Sequence, residues 1–404
     1  MKRWRRAHAI LAAALTVAWL TGCSSTTTLA PPTPTALTAS TQAQLSQDAL
    51  DAFARALIDP RATGNTPALQ TAIKAGHRLG VRSAQFQYVD SLALSDADLA
   101  AFGSRAWAAE VSTTYRLPFD PGPTEMTISM VFAPDASMDS AQIVSIGGYG
   151  NRSALWMDRP TSLSIGPRLV VIDARPQTLS YYVKLGKNAL QTVANVLPSW
   201  QGTLVIEVPT NQDELNQVLQ TSDAQLTDIA AVTTTADGTL TTTSPIHVFA
   251  NPDVFTTMTP LGARVVMSHE ATHVATSGPL STMPTWMLEG FADYVALARA
   301  NIPVQTAARQ ILTKLAKNGL PTRLPTSEDL APTAGGLGAT YEEAWLAWRY
   351  LGSAYGQDKA VAFYQAVNGG LSAAEAFSRV LGTTEDAFVA HWQDDLRTLV
   401  AARP

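Results

Sequence analysis

The sequence predicts an α+β protein whose two parts differ in the order of their helices and strands. Residues 46–162 begin with two helical patterns and continue with alternating apolar residues, which is typical of an antiparallel sheet. Residues 163–258 alternate strand and helix patterns, and residues 259–404 are predicted to be helical. With 46% hydrophobic and 15% charged residues, the chain has the composition of a globular protein.

Residues 1–22 have the pattern of a secretory signal peptide, because a basic start is followed by a short apolar run. Residues 20–23 read L-T-G-C, which resembles a bacterial lipobox with Cys23 as the lipid-modified residue. Cys23 is the only cysteine, so the chain can form no intramolecular disulfide. An ordinary signal peptide followed by a chance cysteine is the alternative. We therefore expect a protein of the cell envelope, anchored to the membrane through Cys23 and exposed outside the cytoplasm.

Residues 23–45 are rich in Ser, Thr and Pro and are predicted to form an extended, lipidated tether. Without the leader, the chain has 24 positive and 33 negative side chains and a net charge of −9. Nucleic acid is therefore not expected as a partner, since its binding requires basic surface.

The predicted first domain, residues 46–162, has helical periodicity at 45–57 and 66–79. Strand patterns follow at 82–94, 107–117, 124–132, 142–146 and 154–157. In order and size these elements resemble the small cone-shaped domains of the NTF2-like type.

The predicted second domain, residues 163–404, begins with a strand-containing lobe at 163–258. Strands are predicted at 169–173, 203–208, 229–234 and 246–250, and helices at 180–197 and 213–221. Asp237-Gly238 predicts a hairpin turn between the last two strands.

The helical lobe, residues 259–404, begins with two helices bounded by cap signals. Thr259-Pro260 suits the start of the first helix, and Gly278 suits its C-terminal cap. Thr282 is expected to cap the second helix, with Pro284 in its first turn. Later helices are predicted at 306–318, 341–355, 358–368, 373–381 and 385–402.

The first of these helices carries the sequence H-E-x-x-H at residues 269–273. His269 and His273 lie one turn apart on one helix face, where both can bind one zinc ion, and Glu270 between them is placed as a general base. Because a catalytic zinc site needs a third protein ligand, we assign Glu289 on the second helix. Asp293, one turn further, is expected to accept the second ring N–H of a ligand histidine.

Two alternatives remain open for this cluster. His273, Glu289 and Asp293 could pair with one another without a metal, or the site could bind zinc without catalysing a reaction. Glu270 argues against the second alternative, since a purely structural zinc site needs no general base.

The motif at 268–274 together with P-x-W-x-x-E-G-F-A-D-Y at 284–294 resembles the gluzincin metallopeptidases, in particular their bacterial peptidase MA-like branch. This resemblance implies one Zn²⁺ between a strand-containing lobe and a helical lobe, and a zinc-bound water activated by Glu270. It also implies an electrophilic role for Tyr341, which could instead be a packing residue at a helix start. Residues 246–250 occupy the place where gluzincins present an edge strand to extended substrate, and His247 is expected to be a strand residue rather than a ligand.

We therefore predict a membrane-anchored zinc metallopeptidase that hydrolyses peptide or protein substrates. The alternative is a non-catalytic, zinc-containing surface lipoprotein that acts as a binding or scaffold module.

Overall fold

The computed structural model describes residues 37–221, 229–331 and 333–403. Within these ranges the chain is an α+β protein with two separate sheets. The signal peptide, Cys23 and the first part of the tether lie outside the described residues. No helix in the described ranges is long and apolar enough to cross a membrane.

The first helix, α1 (Ala39–Ile58), starts inside the segment predicted as a tether at 23–45, so that end of the tether was predicted wrongly. Thr38 caps α1 by accepting the backbone N–H of Thr41 at 3.2 Å, a local signal that periodicity alone does not reveal. The second helix, α2 (Pro67–Leu79), ends at Gly80, which adopts the left-handed conformation that glycine tolerates best.

The first sheet contains four antiparallel strands in the order of the chain. They are β1 (Ser83–Leu92), β2 (Trp107–Arg116), β3 (Thr124–Pro134) and β4 (Ala141–Ile146). Helix α1 packs on this sheet through Phe53, whose ring stacks on Phe86 with 4.8 Å between centroids. Alternate side chains of β2 are buried, as its apolar alternation predicts.

Two short helices of this region differ from the sequence prediction. Helix α3 (Asp96–Phe102) follows β1, where only scattered acidic residues are evident in the sequence, and Ser95 and Asp98 form a capping box at its start. Helix α4 (Leu155–Asp158) replaces a predicted strand. Four apolar residues are too few to distinguish a strand from a helical turn by periodicity.

The second sheet has five strands in the order β5-β6-β7-β9-β8. They are β5 (Ser162–Ile165), β6 (Leu169–Asp173), β7 (Leu204–Val208), β8 (Ala231–Thr235) and β9 (Ile246–Ala250). The three central strands are parallel, and they are connected in part by α5 (Leu179–Val196) and α6 (Gln212–Leu219). The two outer strands, β5 and β8, are antiparallel to their neighbours and form the two edges of the sheet. The prediction that residues 246–250 form the edge strand is therefore wrong, because β9 lies between β7 and β8.

The remaining helices pack against one another and against the second sheet. They are α7 (Pro252–Phe255), α8 (Pro260–Thr276), α9 (Thr285–Leu297), α10 (Val304–Ala307), α11 (Arg309–Asn318), α12 (Leu337–Tyr355), α13 (Gln357–Asn368), α14 (Ala373–Ala376) and α15 (Glu385–Ala401). One continuous hydrophobic core joins buried side chains from Leu169 to Leu399. The predicted helix at 306–318 is divided at Ala308, and the helix predicted from residue 341 starts four residues earlier.

A buried charged cluster connects the first sheet to the second. His247 in β9 places Nδ1 2.7 Å from Oε1 of Glu207 in β7 and Nε2 3.2 Å from Oδ1 of Asp120, in the loop between β2 and β3. All three side chains are buried. His247 is thus a strand residue, as predicted, and its ring bridges two carboxylates from different parts of the chain.

Candidate metal centre

Helix α8 carries three predicted site residues, His269, Glu270 and His273, and is capped at both ends. Thr259 caps its start by accepting the N–H of Gly262 at 3.1 Å. Its C-terminal cap is Ser277 in the left-handed region, not Gly278 as predicted. A Cβ on Gly278 would lie 2.8 Å from Nδ1 of His273, so this glycine leaves room for the imidazole ring.

Three side-chain atoms from α8 and α9 converge. Nε2 of His269 lies 3.0 Å from Nε2 of His273 and 3.2 Å from Oε2 of Glu289. Nε2 of His273 lies 3.7 Å from the same Glu289 oxygen. The three side chains are 12–20% exposed, so the cluster is mostly shielded from solvent but not sealed from it.

These separations fit one small metal ion. Ligand atoms about 2.0–2.1 Å from zinc at tetrahedral angles lie roughly 3.3 Å apart. The observed distances of 3.0, 3.2 and 3.7 Å surround that value. Two imidazole nitrogens and one carboxylate oxygen also form a donor set that suits zinc.

Asp293 orients His269 from behind, since its Oδ1 lies 2.8 Å from Nδ1 of that ring. This is the contact expected from the sequence spacing. An N–H donated from Nδ1 to Asp293 leaves the lone pair on Nε2 for a metal.

The pKa values of His269 and Glu289 reflect strong electrostatic interactions within the cluster. Burial opposes a charge on His269, yet Asp293 and Glu289 outweigh burial and raise the pKa of His269 well above its ordinary value. Burial also acts against ionised Glu289, but its hydrogen bonds to His269 and His273 hold the pKa of Glu289 far below its usual range. A metal ion bound here would take the place of the proton that the cluster otherwise holds.

Helix α9 reaches the cluster because it packs closely on α12. A Cβ on Gly290 would lie 2.6 Å from Cδ1 of Trp348 and 2.7 Å from the backbone oxygen of Ala344. This glycine therefore allows a close approach between α9 and α12. Pro284 occupies the N-cap of α9, and the predicted side-chain cap by Thr282 does not form.

Glu270 contacts a residue that the sequence did not single out. Its Oε2 accepts a hydrogen bond from Oγ1 of Thr233 in β8 at 2.6 Å, and its carboxylate is mostly buried. Thr233 belongs to a run of three threonines in a strand pattern, and no feature of that run indicates a contact with a helix that begins more than twenty residues later.

Tyr341 lies in the second turn of α12, close enough to Glu289 and Asp293 for their charges to act on its hydroxyl. Burial, together with the negative charges of Glu289, Asp293 and Glu270, raises the pKa of its hydroxyl. The hydroxyl therefore keeps its proton at neutral pH and can donate a hydrogen bond.

The six predicted site residues in the described ranges thus lie close to one another, and Cys23 lies outside those ranges. No protein-family model, curated protein or solved structure matches the chain.

Proposed function

We propose that the protein is a zinc-dependent metallopeptidase of the gluzincin type. The observation that carries this proposal is the convergence of His269, His273 and Glu289 at distances that match the ligands of one zinc ion. Asp293 behind His269 adds the orienting carboxylate that such ligands usually have. Three protein ligands leave a coordination position for water or substrate, as a catalytic site requires.

When bound, the zinc ion would polarise a peptide carbonyl and lower the pKa of water beside it. Glu270 follows a ligand on the same helix and would accept a proton from the attacking water, then deliver it to the leaving amine. Tyr341, protonated and close to the same carboxylates, would donate a hydrogen bond to the oxyanion that forms on the carbonyl.

Substrate would bind along β8, because β8 is the one of the two edge strands that contacts Glu270 through Thr233. An extended peptide can pair with the outer backbone of an edge strand and gain affinity with little side-chain selectivity. The role first predicted for residues 246–250 therefore passes to residues 231–235.

The other parts of the proposal rest on sequence patterns. We propose that Cys23 anchors the protein to a membrane of the cell envelope and exposes it outside the cytoplasm. In the first domain, residues 46–162, the two helices and the antiparallel sheet follow one another in the order of an NTF2-like domain. We propose that this domain holds or recruits substrate for the second domain, residues 163–404.

Metal analysis combined with a peptide-library digest tests the proposal. Purified protein should bind about one zinc per chain, and Glu270→Gln should retain the zinc but lose hydrolysis. A non-catalytic scaffold would also bind zinc, but neither the wild type nor the variant would cleave any peptide.

A further inference from the structure

The hydrogen bond between Thr233 and Glu270 joins β8, an edge strand of the second sheet, to α8, which carries His269 and His273. Oγ1 of Thr233 lies 2.6 Å from Oε2 of Glu270 and 3.1 Å from its backbone oxygen. A hydroxyl has one proton to donate, and the shorter contact to the charged acceptor identifies the carboxylate as its partner.

This is the only hydrogen bond to the Glu270 side chain within the described ranges. A glutamate side chain rotates about three bonds, and a single strong contact to one oxygen removes much of that freedom. With Oε2 held by Thr233, Oε1 is left to receive a proton from water.

The position of Thr233 is set by the sheet and not by α8. Thr233 pairs with Val248 of β9, and the next strand on that side is the buried β7. The loop that follows β8 is held in turn by Arg152 of the first domain. The charge of Asp237 acts on the Arg152 guanidinium, and Gly238 approaches the same group closely.

We propose that Thr233 is a positioning residue for Glu270: its hydroxyl fixes the carboxylate in the orientation needed for proton transfer. This inference rests on the proposed peptidase function. Strand β8 would then have two roles: its backbone would pair with the substrate, and its Thr233 side chain would position Glu270, the general base. Loss of the hydroxyl should therefore lower kcat without changing KM.

Thr233→Val tests the inference, because valine has nearly the shape of threonine but cannot donate a hydrogen bond. We expect a fall in kcat of roughly ten- to a hundredfold, the usual range for a misplaced general base, with KM within about twofold of wild type. Thr233→Ser should restore most of the activity. Thr398→Val is the matched control, since this exposed threonine of α15 donates its hydroxyl to the backbone oxygen of Asp394 in its own helix at 3.0 Å, and the variant should behave like the wild type.

Two readouts separate positioning from damage to the metal site. Zinc content and the visible spectrum of the cobalt-substituted protein should be the same in Thr233→Val and wild type. Crystal structures of both proteins without metal should show the Glu270 carboxylate rotated away from its wild-type position in the variant. In a Glu270→Gln background, Thr233→Val should cause no further loss of activity.

Equal kcat in wild type and Thr233→Val, or an unchanged Glu270 orientation, would overturn the inference while leaving the peptidase function intact. Loss of zinc in Thr233→Val would also overturn it, since the effect would then lie in the metal site. A wild-type protein that binds zinc but cleaves no peptide would overturn the peptidase proposal and, with it, this inference.

Discussion

Replacing Gly290 by alanine should weaken zinc binding although residue 290 is not a ligand. The added Cβ would lie 2.6 Å from Trp348 and 2.7 Å from the backbone of Ala344, where ordinary contact starts at 3.4 Å. Helix α9 must therefore move away from α12 by roughly 0.7 Å, because the backbone oxygen of Ala344 in a packed helix cannot yield. Metal–ligand distances tolerate only about 0.2 Å, so a shift of Glu289 by this amount should lower zinc affinity at least about tenfold.

Stability should also fall, although alanine favours helices. The gain in helix propensity is about 1 kcal/mol, whereas overpacking costs about 1–3 kcal/mol, so the free energy of unfolding should drop by up to roughly 2 kcal/mol. Urea unfolding in the presence of a chelator measures this term, and competition with a coloured chelator measures zinc affinity. Gly335→Ala is the control, since no atom lies within 4 Å of its Cβ. Wild-type zinc affinity in Gly290→Ala would refute the account of how α9 places its ligand.

Two further predictions concern the charges around the two histidine clusters. Asp293→Asn should keep a hydrogen bond to His269 but lose the charge, whereas Asp293→Ala loses both. We therefore expect zinc affinity to fall about tenfold in the first variant and closer to a hundredfold in the second, measured by the same competition assay, and equal affinities would contradict the orienting role. Burial disfavours protonated His247, but Asp120 and Glu207 outweigh it and raise the pKa of His247 to about 10. The contacts of protonated His247 with Asp120 and Glu207 should therefore stabilise the fold fully below about pH 6.5 and lose this effect as the pH rises toward 10. Over this range the free energy of unfolding should fall by an amount on the order of a few kcal/mol. Urea unfolding at several pH values measures this loss, which should become smaller in Asp120→Asn, and a stability independent of pH across that window would contradict the assignment.

The helices that carry the proposed metal ligands could be predicted because their signals are local. Thr259 and Pro260 mark the start of α8, and the spacing of His269 and His273 is a property of any helix. Residue types and spacing also indicated Glu289 and Asp293, since each lies on the expected face of α9.

The features that could not be predicted depend on contacts between distant segments. Strand order is not encoded in periodicity, and both 229–234 and 246–250 fit an edge strand equally well until β9 is seen to lie between β7 and β8. For the same reason the partner of Glu270 was missed: Thr233 becomes significant only once β8 lies beside α8. The close contact of Gly290 with Trp348 and Ala344 likewise depends on which helix packs beside α9, and the motif alone does not identify that helix.

The central claim is that His269, His273 and Glu289 bind one zinc ion for hydrolysis that depends on Glu270. Zinc content and turnover of a peptide library, measured together on wild type and Glu270→Gln, test it most directly. We expect about one zinc per chain in both proteins, with cleavage only by the wild type. Full activity in Glu270→Gln, or active protein without bound metal, would contradict it.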